Sequence, residues 1–194
     1  MTPAKPQAWP PNVQYISVPR YHTSVSPAMR AFLTNGTYCP NPQNASVPSH
    51  AGTSLVRIRY ISEPSHPARG QYGLFAVKKI PCRTHIVDYL GEVHCEAKTD
   101  SDYDLSLYRS QDGVNVGVDA SVMGNEARFT NDYRGIRGKP NAVFVDGRTQ
   151  LGELRMSIWS SGEAIKKGDE ILVSYGKSWW RARTEQKDDK ADQG

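Results

Sequence analysis

The sequence predicts a mainly β fold with few, short helices. Three observations lead there. Runs rich in Val, Ile, Tyr and Phe recur along the chain, as in Leu55-Val56-Arg57-Ile58-Arg59-Tyr60-Ile61. Gly and Pro interrupt them about every 8 to 15 residues, the rhythm of a compact strand-and-turn fold. No long stretch repeats its apolar residues at the helical period of about 3.6.

Taken in order, Leu55 to Ile61 reads as a first strand, its two arginines supplying polar alternation. Gly70 to Gly73 reads as a turn and Leu74-Phe75-Ala76-Val77 as a second strand. Lys78-Lys79-Ile80-Pro81 is a turn, and His85 to Leu90 a third strand. Ser101 to Tyr108 is a short helix or strand. Val114 to Val118 alternates; Asn141 to Val145, Met156 to Trp159 and Ile171 to Tyr175 supply the later strands. Residues 1–50 form a loop-rich flank, broken by Pro10-Pro11, Pro40 and Pro42, that partly packs on the domain. Residues 51–181 are the domain, and 182–194 a flexible charged tail.

A chain of 194 residues can bury a core without staples. Its net charge of +4 is too mild to argue nucleic-acid binding alone. Cys39, Cys82 and Cys95 stand apart, without a CxxC pair, so neither a metal site nor a disulfide framework is expected. Free thiols fit a reducing compartment. The N-terminus shows no signal-peptide core, and no apolar run reaches about 18 residues, so no membrane span is expected.

Four stretches carry chemistry. Arg69-Gly70-Gln71-Tyr72-Gly73-Leu74-Phe75 brackets an aromatic with glycines, which lets backbone approach a ligand. Tyr89-Leu90-Gly91-Glu92 closes a strand. Gly124-Asn125-Glu126-Ala127-Arg128-Phe129-Thr130-Asn131-Asp132, followed by Pro140-Asn141, packs polar side chains densely enough for a buried hydrogen-bonded turn or a ligand site. Ile165-Lys166-Lys167-Gly168-Asp169-Glu170-Ile171-Leu172-Val173-Ser174-Tyr175-Gly176 ends an apolar strand on a tyrosine. Singly, each is equally an ordinary turn or strand end.

In this order, the four resemble the SET domain of protein lysine methyltransferases. The resemblance covers about residues 55 to 180. It departs at Asp132, where the family often has His, and in lacking cysteine-rich zinc segments. It implies a SET-type fold of small sheets around a pseudoknot, in which the central and closing motifs cross and bring Asn131 to Tyr175. It implies S-adenosyl-L-methionine as cofactor, contacted by Gln71 and Tyr72 through backbone and ring, with Arg128, Phe129, Asn131 and Asp132 lining the pocket. Tyr103 stands where relatives have a pocket tyrosine. Trp180 either stacks on adenine or packs, and Trp179-Trp180 is the candidate cover for the cofactor. Tyr175 is the implied catalytic residue, holding the lysine amine. Phe144 and Val173 fall at channel positions that set methyl number, and both choices favour more than one methyl.

The implied function is a protein-lysine N-methyltransferase acting on a histone or another basic protein. The alternative is a catalytically inactive SET-like module that binds a peptide in chromatin. Glu92, Glu96, Asp100, Asp102 and Asp104 would attract a basic tail, or simply form a solvated loop. Arg134, Arg137 and Lys139 would touch nucleic acid or stay solvated. The family's usual substrates imply the nucleus, with cytoplasm as the alternative.

Overall fold

The computed structural model describes residues 5–6, 8–36, 55–177 and 179–180. Cys39, Pro40, Pro42 and the tail 182–194 lie outside these residues.

The described residues form five small sheets. Their strands are β1 (Gln14–Tyr15), β2 (Arg20–Tyr21), β3 (Val56–Tyr60), β4 (Tyr72–Ala76), β5 (His85–Asp88), β6 (Glu92–His94) and β7 (Asp104–Arg109). They continue as β8 (Asn115–Asp119), β9 (Met123–Gly124), β10 (Asn131–Asp132), β11 (Ala142–Arg148), β12 (Leu154–Ser160) and β13 (Leu172–Val173). A 3-10 turn, Glu126–Phe129, precedes β10. An α-helix, α1, spans Pro27–Thr34, and Lys177, Trp179 and Trp180 are also helical. No described helix is long and apolar enough to cross a membrane.

The alternating strands fall where their patterning places them. In β3, Val56 and Ile58 are buried while Arg57 and Arg59 face water. Asp104 to Arg109 resolves the helix-or-strand ambiguity as β7, paired antiparallel with β8. The second strand starts earlier than Leu74. Tyr72 pairs with Tyr60, so the glycine-bracketed aromatic is already in the ladder.

The N-terminal stretch is threaded into the domain. β1 runs parallel to β9 and β2 parallel to β6. α1 has the signals of a helix start: the Ser26 hydroxyl accepts the Met29 N–H at 3.2 Å, and Pro27 follows it.

The two largest sheets are β11-β12-β5 and β2-β6-β8-β7. A separate parallel pair, β10 with β13, matches Asn131 to Leu172 and Asp132 to Val173. Leu74, Ile80, Ile158, Ile165 and Ile171, drawn from several of these elements and their connections, are essentially fully buried in one core. Gly91 explains one motif glycine. A Cβ there would lie 2.3 Å from the Asp119 carbonyl oxygen, so only glycine lets the two backbones approach.

Candidate functional site

A cleft of about 1100 Å³ opens where β4, β7, the 3-10 turn, β10 and the end of β13 meet. Gln71, Tyr72, Tyr103, Arg128, Phe129, Asn131, Asp132, Phe144, Tyr175 and Trp180 all line it. Val173 does not. It is fully buried in the hydrophobic core.

Tyr175 is held at both ends. Its N–H donates to Asp132 Oδ2 at 2.8 Å, and its hydroxyl donates to the Thr130 carbonyl at 2.8 Å. The crossing of β10 and β13 therefore places the phenol. Burial, then the Asp132 carboxylate, pushes its pKa well above the ordinary value, so it stays a neutral hydroxyl. With its proton committed to Thr130, the oxygen keeps lone pairs to accept from a donor in the cleft.

Asp132 is a hub. Besides Tyr175 it accepts the Arg134 N–H at 2.9 Å, the Arg134 guanidinium at 2.9 Å and the Trp180 indole N–H at 3.2 Å. A carboxylate here gathers donors from three residues. That gives the departure from histidine a structural purpose and ties Trp180 to the site. The Arg134 guanidinium lies 5.3 Å from the Trp180 ring, and Trp179 packs edge-on against both Tyr175 and Trp180.

Asn131 donates from Nδ2 to Glu170 Oε1 at 2.8 Å and to the Tyr72 carbonyl at 3.3 Å. Arg128 donates from Nε to the Ala120 carbonyl and stacks 4.3 Å from Tyr103 and 4.9 Å from Phe129. It therefore braces the wall. Tyr72 meets Phe129 edge-on. Gln71 is exposed at the rim. Its backbone N–H donates to Ala68 O and its carbonyl accepts from Ile61, so that N–H is not available to a ligand.

Several cleft residues carried no role in the sequence. Pro10, Asn12 and Val13 form part of the wall, and Trp9 packs edge-on against Phe129 at 5.3 Å. Tyr89 is buried, with its hydroxyl donating to the Tyr103 carbonyl and its ring 6.0 Å from Phe144. Burial, then nearby Tyr175, raises its pKa far above the usual range. His66 and Glu170 stand behind Asn131. Thr130 Oγ1 is buried with no hydrogen-bond partner.

The charged stretches are largely committed internally. Glu92 and Asp119 pair with Lys98, and Asp104 with His94. Arg134 pairs with Asp132, and Lys139 pairs with Glu163.

Residues 71–176, more than half of the chain, match the SET domain family. The chain belongs to the SET domain family. Over 112 residues this SET domain is 27% identical to the mouse (Mus musculus) histone-lysine N-methyltransferase EHMT1; that is 56% of this chain and 8% of the length of EHMT1. Two solved structures share the fold. ATXR5, in complex with mono-methylated histone H3.1, superposes with a TM-score of 0.61 at 16% identity, over 86% of this chain and 82% of that one. The Neurospora histone lysine methyltransferase DIM-5 gives 0.59 at 16% identity, over 89% and 93%.

Proposed function

We propose that this SET domain is an S-adenosyl-L-methionine-dependent protein-lysine N-methyltransferase, with Tyr175 orienting the substrate amine. The observation that carries the reading is the Tyr175 hydroxyl, anchored on the Thr130 carbonyl at the edge of the cleft beside Asn131. Support also comes from the relatives, two of which are named as histone lysine methyltransferases.

The residues fit the cofactor. Tyr72, Phe129 and Trp180 offer aromatic surface. Asn131 keeps Oδ1 as an acceptor, and Thr130 Oγ1 is a buried polar atom without a partner. When bound, the cofactor supplies an activated methyl group on a cationic sulfur. Tyr175 is a phenol at neutral pH and therefore acts as an acceptor that aims the amine rather than as a base. A free lysine has a pKa of about 10.4 and must lose its proton before it can attack. A drying cleft and a neighbouring cation both favour that loss to solvent. Trp179, Trp180, Pro10, Asn12 and Val13 line the cleft.

Phe144 and Tyr89 meet edge-on, and the Tyr89 hydroxyl is committed to Tyr103. Phe144 has no hydroxyl to hold a blocking water near the amine, which favours addition of more than one methyl. The substrate is a lysine in a basic segment, a histone tail foremost, and the site of action is the nucleus.

Labelled cofactor with core histones and a cell lysate tests the reading, with Tyr175→Phe alongside. Label on a protein band that falls at least about 100-fold in the variant is the expected result. Absent label with the wild-type protein would leave a peptide-binding module without turnover, and equal label with both proteins would remove Tyr175 from the reaction.

A further inference from the structure

Behind the cleft, a buried relay reaches Asn131 from a loop that no motif covers. His66 lies between β3 and β4 with its side chain 10% exposed, and its partner Glu170 is 7% exposed. The backbone N–H of Ala68 donates to His66 Nδ1 at 3.0 Å. A backbone amide can only donate, so Nδ1 is an acceptor and the ring proton sits on Nε2. Nε2 then donates to Glu170 Oε2 at 2.8 Å. The other carboxylate oxygen, Oε1, accepts from Asn131 Nδ2 at 2.8 Å, and the second Asn131 amide hydrogen goes to Tyr72 O at 3.3 Å. A flipped Asn131 amide would set Oδ1 against that carbonyl and that carboxylate, two acceptors facing a third.

We propose that His66 is a positioning residue: through Glu170 it locks the Asn131 amide in the one orientation that leaves Oδ1 as a hydrogen-bond acceptor for a cationic or N–H-bearing group of the methyl donor. The use of that acceptor rests on the proposed methyltransferase function; the lock itself does not. Gly73 belongs to the same device. A Cβ there would lie 2.6 Å from Glu170 Oε1 and 2.9 Å from the Phe75 ring, so the second glycine of the first motif makes room for this carboxylate. Two residues that are 104 positions apart in sequence thus meet behind the site, while Pro67 and Ala68 of the same loop form part of its wall.

The test uses the full chain and S-adenosylhomocysteine as the probe, with binding read by calorimetry and the Asn131 side-chain amide by nitrogen-edited NMR. His66→Leu removes the donor and is expected to weaken the probe about tenfold and to shift the Asn131 amide pair. His66→Gln keeps a donor at similar reach and is expected to restore binding to within about threefold. In turnover, the KM for the methyl donor rises in His66→Leu while kcat and the peptide KM hold. Unchanged binding and unchanged amide signals in folded His66→Leu overturn the proposal, as does a loss that His66→Gln does not recover. Gly73→Ala attacks the carboxylate from the other side and must give the same pattern; normal probe affinity there overturns the relay even where the His66 variants do not fold. If the wild-type chain binds no probe, the proposed function fails, and the Asn131 amide comparison still decides the lock.

Discussion

Tyr89 and Tyr175 are delivered to the cleft by the same device and end in different positions. Tyr89 lies within, and Tyr175 shortly after, a segment of backbone gripped by a buried asparagine. Asn125 donates to the Asp88 carbonyl at 2.8 Å and accepts the Leu90 N–H at 3.2 Å. Asn141 donates to the Glu170 carbonyl at 2.7 Å and accepts the Leu172 N–H at 2.8 Å. In both cases a side-chain amide stands in for a neighbouring strand. The difference lies in what takes the hydroxyl. Tyr89 reaches the Tyr103 carbonyl, only 14 residues on, and becomes part of the wall. Tyr175 reaches the Thr130 carbonyl, 45 residues back, beside Asn131 and Asp132. One asparagine thus supports a surface, and the other supports the group placed to meet a substrate.

The largest effect expected from this asymmetry is kinetic. Tyr175→Phe lowers the methyl-transfer rate at least about 100-fold, whereas Tyr89→Phe stays within about tenfold, measured by transfer of labelled methyl. Equal losses would erase the distinction. Next comes stability. Asn141→Ala and Asn125→Ala each leave a buried N–H and a buried carbonyl unpaired, costing about 2–4 kcal/mol in urea unfolding. Only Asn141→Ala should also disturb the Glu170–Asn131 contact. A normal Asn131 amide signal in that variant would break the link between thread and site.

A smaller effect is acid sensitivity on the Tyr89 side. Burial alone would raise the Asp88 pKa, but His85, Ser157 and Arg155 together outweigh it and hold the carboxyl below its usual value. A folded-state pKa that is depressed stabilises above the unfolded value of about 3.9, and the benefit is lost as pH falls through the folded value. Asp88→Asn should therefore cost about 1–2 kcal/mol at neutral pH and flatten the fall in stability below about pH 4. An unaltered acid slope would move that sensitivity elsewhere. Smallest is Lys98→Met. Lys98 pairs with Glu92 and Asp119 at a partly exposed position, so the loss should stay under about 1 kcal/mol in thermal unfolding. Asp119 retains Ser101 and Ser121 as donors.

The legible parts of the molecule were those with local patterns. β3, β8 and β12 announce themselves by alternation and β-branched residues over five to seven positions. β1, β2, β9 and β10 are two residues long, and two residues have no periodicity to read. α1 carried its Ser26-Pro27 start signal, but its eight residues are too few to show a clear apolar stripe. Within the site, Tyr175, Asn131, Arg128 and Phe129 could be named because they sit inside ordered motifs. His66, outside any motif, could not.

The sequence by itself determined a β-rich chain, four motifs in one order, and hence the SET family and the residues to look for around Asn131 and Tyr175. Only the tertiary structure decided that Asp132 gathers Tyr175, Arg134 and Trp180, that Val173 belongs to the core, and that Val13 reaches the cleft wall with Trp9 packed against Phe129. Periodicity and turn chemistry act over a few residues and are written locally. Hydrogen bonds such as His66 to Glu170 exist because distant threads pass each other, and their partners are set by that crossing rather than by any neighbouring residue.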